Sequence, residues 1–247
     1  MNSGFFVAGV SGQMAQQKMD DISHNLANVN TVGYLGSRSS FETVFTNKNP
    51  ATGNPDTVPA AFQSMGGQFV DTRAGIIEQT GNDFDFAILG KGWFRIQTAP
   101  GQEAYTRAGN FTQDAQGNLL TQGGKPVLDT AGAPIRLPAG RLEATEQGEL
   151  LVNGQLVTQL GMVSFSDPSA IERIGNVLVK TPQSNTEPAT DITLRQGALE
   201  GSNVNSVLAM TEMIATLRSY EATVKMIEEY NQQSSQLTQQ VGQVQGN

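Results

Sequence analysis

Few residues in this sequence have the types and the spacing that chemistry requires. His24 is the only histidine, so a Ser-His-Asp triad would have to use it, yet it lies in a stretch with helical periodicity. Asp83 and Asp85 form a pair of carboxylates, but in a strand this spacing places them on one face, where we expect solvent. The GGKP stretch (123–126) lacks the glycine spacing and the Ser or Thr of a P-loop. We therefore predict no catalytic residue, and no enzyme.

Metal and cofactor sites have equally little support. The chain has no cysteine, which excludes disulfides, thiolate metal sites and cysteine nucleophiles. Residues 114–118 (DAQGN) begin like a calcium-binding loop, but the later glutamate ligand is missing, so we predict a turn. The methionines near both ends fall at helical spacing, which is typical of core or interface positions. We predict neither a metal nor a cofactor.

Composition excludes further classes of function. The 247 residues carry a net charge of −8, and only 15% of them are charged. No two Lys or Arg residues are adjacent, which argues against nucleic acid as a partner. No window approaches 18 apolar residues, so we predict no membrane-spanning helix. The N-terminus lacks a basic region before an apolar run, and we expect no cleaved Sec signal.

Helical periodicity marks both ends of the chain. Near the N-terminus, apolar or small residues recur every three or four positions at Phe5, Ala8, Gly12, Ala15, Met19, Ile22, Leu26 and Val29. Near the C-terminus the same spacing joins Met210, Met213, Leu217, Tyr220, Val224 and Ile227. Gly33 is suited to a left-handed turn after the first helix, and Ser202 or Asn203 to the N-cap of the second.

The middle of the chain has a different pattern. Residues 46–59 (TNKNPATGNPDTVP) are nearly all turn and linker types. Short apolar runs separated by turn residues follow, and the LLVNGQLV stretch (150–157) predicts a hairpin because Asn-Gly favours a type I′ turn. This pattern predicts a central antiparallel β domain.

The sequence therefore predicts an α+β protein with four segments. These are an N-terminal helix of an inner core domain (1–36), an extended, irregular linker (37–75), a central β domain (76–199) and a C-terminal helix with a Gln-rich tail (200–247). Neither amphipathic helix can bury its apolar stripe alone. We expect the two helices to pair in a coiled-coil-like core domain, with each other and with further copies of the chain.

Three stretches resemble the flagellar rod and hook family. NLANVNTVGY (25–34) is similar to its N-terminal signature, GNDFDFAILGKGWFRIQ (81–97) to its central region, and GALEGSNVNSVLAMTEMIATLRSYEATVKMI (197–227) to its C-terminal signature. Within the family the chain looks most like proximal rod members, with distal rod members second. Leu35 departs from the Lys or Arg that many members carry there.

The resemblance implies a structural subunit of the bacterial flagellar basal-body rod. Its terminal helices would pack helically into a tube around the export channel, with the β domain outside. Its partners would be copies of itself, other rod proteins and the flagellar type III export apparatus, and its location the periplasmic space. The predicted assembly interface comprises Phe5, Ala8, Ala15, Met19, Ile22, Asn25, Leu26, Asn28, Val29, Thr31, Gly33, Leu199, Glu200, Ser202, Asn203, Val204, Met210, Met213, Leu217, Tyr220, Val224 and Ile227.

Two hypotheses concern polar residues. The asparagines of NLANVN, including Asn30, would bond neighbouring backbones in a wet interface. The tail residues Gln232, Gln233, Gln236, Gln239, Gln240 and Gln243 would face the channel, the alternative being a disordered tail. Outside the rod assignment, the alternatives are a distal rod or hook subunit, a secreted β-rich adhesin-like binding module, and an enzyme such as a wall hydrolase.

Overall fold

The computed structural model describes the backbone of residues 3–46, 60–99, 101–189 and 191–244. Side chains are described for residues 7–40, 69–99, 101–189, 191–233, 235 and 236. Most of the turn-rich stretch 46–59 lies outside the described residues, as do the side chains of Phe5, Gln239, Gln240 and Gln243.

Both terminal helices are present. Helix α1 spans Ser3–Ala27 and helix α2 spans Ser206–Val244. Helix α1 ends before Asn28, a residue type whose side chain competes with helical hydrogen bonding. Helix α2 begins after Asn205, so the N-cap predicted at Ser202 or Asn203 is wrong, and the contacts of Asn203 described below explain why.

Seventeen strands lie between the helices in the described part of the chain. They are β1 (Ser37–Thr46), β2 (Ala60–Val70), β3 (Ile77–Gln79), β4 (Phe86–Gly90), β5 (Trp93–Ala99), β6 (Gln102–Thr106), β7 (Phe111–Gln113), β8 (Leu119–Thr121), β9 (Leu142–Ala144), β10 (Glu149–Val152), β11 (Gln155–Gln159), β12 (Met162–Phe165), β13 (Glu172–Arg173), β14 (Leu178–Lys180), β15 (Thr186–Pro188), β16 (Ile192–Gln196) and β17 (Ala198–Glu200). Short 3-10 helices occupy Pro168–Ala170 and Gln183–Asn185.

All strand pairs whose register the structure describes are antiparallel. A six-stranded sheet has the order β13-β14-β6-β5-β12-β15, and a three-stranded sheet has the order β11-β10-β9. Strands β16 and β4, β17 and β3, and β7 and β8 form two-stranded sheets. Together with the terminal helices, this arrangement makes the protein α+β, as the sequence predicts.

The predicted β hairpin is confirmed. Strands β10 and β11 flank Asn153 and Gly154, whose φ angles are 53° and 77°. Positive φ at both central residues is the requirement of a type I′ turn. The predicted turn at Asp114 is confirmed as well, because its Oδ1 accepts hydrogen bonds from the backbone N–H groups of Gln116 and Asn118.

Two regions differ from the sequence-based expectation. Strands β1 and β2 pair with each other inside the segment expected to be irregular, and the β-branched and aromatic residues of β1 favour this conformation. Asp85, expected at a solvated edge, is buried. Its carboxylate accepts hydrogen bonds from Thr80 Oγ1 (2.7 Å) and Asn82 Nδ2 (3.1 Å), so it closes a turn.

The strands enclose two apolar clusters. The larger one includes Phe86, Phe94, Ile96, Phe111 and Leu150. The smaller one is formed by Leu35, Trp93, Tyr105, Val163, Ile171 and Val179. Strand β5 contributes to both, because neighbouring residues such as Trp93 and Phe94 point to opposite sides of a strand.

The chain divides into two units. What we call the helical unit contains the described residues of 1–26, 38–68 and 206–247, and the β unit contains those of 27–37 and 69–205. Residues 27–36, which the sequence analysis groups with the first helix, therefore belong to the β unit.

Candidate assembly site

The N-terminal signature segment forms a tight turn directly after α1. Asn28 is buried, its backbone carbonyl accepts a hydrogen bond from Thr31 N–H (3.1 Å), and its Oδ1 accepts one from Thr31 Oγ1 (3.2 Å). Gly33 has φ +65° and donates its N–H to the backbone carbonyl of Glu200 (2.7 Å). The predicted left-handed turn at Gly33 is confirmed, and its hydrogen bond joins the N-terminal signature segment to the C-terminal one.

Only glycine fits at position 33. A Cβ atom built there would lie 2.1 Å from the backbone nitrogen of Ala108, far inside van der Waals contact. The positive φ angle is also one that other residues adopt at a cost. Gly33 therefore serves the close approach of two backbone segments within the β unit.

Tyr34 and Leu35 follow this turn, and Leu35 belongs to the smaller apolar cluster. Both are buried, and the guanidinium of Arg173 lies over the Tyr34 ring at 4.8 Å from its centroid. Arg173 also donates to the Leu35 carbonyl and to Ser37 Oγ (3.0 Å), while burial lowers its pKa. The apolar side chain of Leu35 suits this buried position.

A buried ion pair joins the centre of the β unit to its C-terminal end. Arg107 Nη1 lies 3.2 Å from Glu200 Oε2, and the two side chains are 3% and 0% exposed. Arg107 also donates to the carbonyls of Ile88 and Gly90 and lies over the Trp93 ring. The second Glu200 oxygen accepts the N–H of Gly75 (2.8 Å).

Burial dominates the electrostatics of this pair. It lowers the pKa of Arg107, while the nearby Glu200 carboxylate acts in the opposite direction. Burial also raises the pKa of Glu200, although Arg107 and the Gly75 N–H both favour the charged form. A charge removed from water is tolerated only when it is paired and hydrogen-bonded, and each member of this pair has such partners.

Asn203 holds three backbone groups at once. Its Nδ2 donates to the carbonyls of Asp71 and Arg73, both at 2.8 Å, and its Oδ1 accepts the N–H of Gly36 (2.7 Å). These contacts occupy the side chain that an N-cap would need, which explains why α2 starts later than predicted. We refer to Gly33, Gly75, Arg107, Glu200 and Asn203 as the junction cluster.

The helical unit presents a different surface. On α2, Ala209 and Thr216 are buried, whereas Met213, Tyr220, Val224 and Ile227 are partly buried. On α1, Ala8 and Ile22 are buried, and Ala15, Met19, Asn25 and Leu26 are partly buried. Gly12 of α1 lies against Thr223 of α2, since a Cβ built at this glycine would be 3.5 Å from the threonine Cγ2.

A second row of α2 residues remains uncovered. Val207, Met210, Ile214 and Leu217 are 73%, 52%, 55% and 44% exposed, and we call this row the apolar stripe. Contiguous exposed apolar surface of this kind typically marks an interaction site. Two of its members, Met210 and Leu217, belong to the predicted seam, whereas Val207 and Ile214 do not.

The predicted interface residues therefore fall into two groups. Asn28, Val29, Thr31, Gly33, Leu199, Glu200, Ser202, Asn203 and Val204 lie in the β unit, and the described remainder lies on α1 and α2. Sequence reasoning missed Arg107 and Arg173. The only local signal at Arg107 is a charge two residues after Tyr105, and the residues around Arg173 give no such signal. It also missed Val207 and Ile214, which the helical spacing could have included.

Three regions of the chain match models of known protein families. Residues 7–34 match the flagella basal body rod protein family, residues 87–152 the flagellar hook protein FlgE/F/G D1 domain, and residues 195–240 the flagellar basal body rod FlgEFG protein C-terminal region. These three family matches define a structural subunit of a larger assembly. The family resemblance seen in the sequence is thereby confirmed.

Similarity to individual proteins extends over nearly the whole chain. The chain is 36% identical to the flagellar basal-body rod protein FlgF of Mesorhizobium japonicum, covering 98% of this chain and 99% of that protein. It is 32% identical to FlgF of Caulobacter vibrioides over 99% and 100%, and 33% identical to FlgG of Bacillus subtilis over 89% and 92%. The chain belongs to the flagellar basal-body rod protein family and is a structural subunit of the bacterial flagellar rod. An adhesin-like module is not favoured.

Rod proteins assemble with other components of the basal body, so such proteins are this chain's partners. Within the part of the chain that the structure describes, neither helix combines the length and the hydropathy needed to cross a bilayer.

Proposed function

We propose that the chain enters the rod through its two terminal helices, which pair in a coiled-coil-like manner and complete their apolar surfaces against neighbouring subunits. The observation that carries this proposal is the apolar stripe of α2. Four large side chains, between 44% and 73% exposed, follow one another at intervals of three, four and three residues. This spacing places them along one line of the helix surface.

Energetics support a role in association. Full burial of a large apolar side chain contributes roughly 1.5–3 kcal/mol, so four half-exposed side chains offer several kcal/mol to a partner. Part of this free energy offsets the side-chain and rigid-body entropy lost on association. The stripe is therefore suited to a contact that many neighbouring subunits reinforce.

The junction cluster has a supporting role in this proposal. Its members Gly33 and Asn203 bond within the β unit and fix the backbone after α1 and just before α2, and Asn28 outside the cluster bonds to Thr31 in the turn that follows α1. Asn25 and Asn30 stay candidates for contacts with neighbouring subunits. Gln232, Gln233 and Gln236 are exposed on α2 and are compatible with a surface facing the channel.

We further propose that the subunit reaches the rod through the flagellar type III exporter, without a cleaved Sec signal, and resides in the periplasmic part of the basal body. The proximal rod assignment rests on resemblance. Relatives named FlgF match this chain over 90–99% of its length, and those named FlgG over 88–93%. We favour the FlgF type over the FlgG type.

A double substitution in the apolar stripe tests the proposal. Met210→Ser with Leu217→Ser removes apolar surface that the isolated subunit leaves exposed, so the monomer should fold while rods fail to form. Swimming in soft agar and the amount of this chain in purified basal bodies are the measurements. Thr211→Ala with Arg218→Ala is the matched control, since both residues are exposed on α2 outside the stripe.

Export must be separated from assembly in this test. The amount of the chain secreted by a strain that cannot build rods should be equal for the double variant and the control. Normal incorporation of the double variant into basal bodies would contradict the proposal that the stripe is an assembly surface.

A further inference from the structure

A groove runs between α1 and α2 inside the helical unit. It has a volume of about 420 Å³, and it is lined by Ser11, Met14, Ala15 and Lys18 of α1 and by Ala215, Thr216 and Ser219 of α2. Most of these side chains are small, so the groove can admit larger side chains from outside. The four α1 residues are spaced by three, one and three positions, which places them along one face of that helix.

The groove and the apolar stripe lie on opposite faces of α2. Each residue of an α-helix turns the chain by about 100°, so the centres of the stripe and of the α2 side of the groove are roughly 170° apart. A stripe on one face cannot fill a groove on the other face of the same helix. Two copies of the chain can bring them together.

Charge at the ends of the two surfaces is complementary. Glu221 follows Leu217 by four residues and continues the line of the stripe, whereas Lys18 forms one end of the groove. Both side chains are exposed, and neither has an ion-pair partner among the described residues. An interface that joins stripe to groove would give each of them an opposite charge.

We infer that the apolar stripe of one copy inserts into the groove of the next copy, with Glu221 of the first beside Lys18 of the second. This inference rests on the proposed function, because it names the partner of the stripe. A contact between two different surfaces is heterologous, and when successive rotations do not close a ring it continues as an open helical array. Because the stripe and the groove lie on opposite faces of α2, a row of copies would end with a free stripe at one end and a free groove at the other.

Disulfide crosslinking tests this pairing directly, because the native chain contains no cysteine. The full chain with Ala15→Cys and Ile214→Cys should, after oxidation of purified basal bodies, give crosslinked products that extend beyond the dimer. Disulfide formation requires Cβ atoms about 4 Å apart, so it reports the contact itself. The single-cysteine chains should not give the extended products.

The control is Gln13→Cys with Ile214→Cys. Gln13 is exposed and lies on the opposite side of α1 from the groove. Crosslinking of this control with equal yield, or no crosslinking of the Ala15 pair in basal bodies that do form, would overturn the stripe-to-groove contact. It would leave the proposed assembly through the helices standing, since rods would still be present.

A charge exchange gives a second readout in swimming cells. Lys18→Glu and Glu221→Lys should each reduce swimming and incorporation, and the double variant should restore both. Lys18→Glu combined with Glu229→Lys should not, although Glu229 is also exposed on α2. Equal rescue by both combinations would show that only net charge matters and would overturn the proposed pairing.

Discussion

The junction cluster and the apolar stripe differ in where their side chains find contacts. Arg107 and Glu200 are charged groups, yet they are almost completely buried and find their partners inside the β unit. Met210 and Leu217 are apolar, yet about half of each is exposed. The ion pair of the first arrangement is formed within one molecule, although Arg107 Nε has no hydrogen-bond partner among the described residues, whereas the second arrangement leaves apolar surface available to another molecule. The difference agrees with a junction cluster that shapes the subunit and supports the proposal that the stripe joins subunits together.

This comparison changes how the signature segment Asn25–Tyr34 is interpreted. The amides of NLANVN suggested contacts with neighbouring molecules, but Asn28 bonds to Thr31 in the same turn. A substitution at Asn28 would therefore disturb the β unit as well as any interface. A defect in assembly alone should instead follow from changes in the stripe.

The largest effect on stability is expected from Glu200→Ala. The substitution leaves the Arg107 guanidinium buried without its counter-charge, which costs about 3–5 kcal/mol. Urea unfolding of the full chain, followed by tryptophan fluorescence because Trp93 lies beside Arg107, measures the loss.

The double variant Arg107→Met with Glu200→Leu is the control. It removes both charges and should recover part of the lost stability. Glu143→Ala, which changes an exposed ion pair, should cost at most about 1 kcal/mol. An equal cost for Glu200→Ala and Glu143→Ala would contradict the view that the junction cluster stabilises the subunit.

The next effect concerns the close approach at Gly33. Gly33→Ala combines the strain of φ +65° with a backbone collision at Ala108, so we expect a loss greater than the 1–2 kcal/mol that the left-handed conformation costs alone. Gly124→Ala is a matched control, because Gly124 has φ +71° and no heavy atom within 4 Å of the added Cβ. Equal losses in the two unfolding curves would show that position 33 requires only backbone freedom.

A contact can be predicted from the sequence when the interacting residues are close together in the chain, and it is missed when they are far apart in the chain. The Asn153-Gly154 hairpin and the Asp114 turn are encoded by neighbours in the chain, and both were predicted. The contact between Arg107 and Glu200 joins residues 93 positions apart, and no local pattern contains it. The N-cap prediction for Asn203 is wrong because the hydrogen bonds of this side chain to distant backbone groups cannot be seen in the sequence.

The helices illustrate a second limit. Spacing by three and four residues identifies α2 as amphipathic, but two adjacent rows satisfy that spacing. The sequence cannot tell which row is covered within the molecule, since Met213 and Ile214 are both apolar neighbours. The structure separates them, with Ile214 exposed and Met213 partly buried.

A smaller effect should depend on pH. Burial raises the pKa of Glu200 in the native protein, whereas the unfolded chain releases this proton near the ordinary glutamate pKa of about 4.3. The stability contributed by the bound proton is complete below that ordinary value and is lost as pH rises through the native pKa. The free energy of unfolding of the native protein, relative to that of Glu200→Gln, should therefore fall as pH rises across this window. A rise in this relative free energy of unfolding would mean that attraction to Arg107 affects the pKa of Glu200 more than burial does.

The smallest effect should come from removing one methylene group from the apolar core of the β unit and one from the apolar stripe. Ile96→Val deletes it from a fully buried site, where such substitutions cost about 0.5–1.5 kcal/mol. Ile214→Val deletes it from a side chain that is 55% exposed, and surface changes are usually within about 0.5 kcal/mol. Urea unfolding of the two monomers measures both. A cost at Ile214 as large as that at Ile96 would mean that the stripe is already covered in the single molecule, and the distinction between the two regions would then be lost.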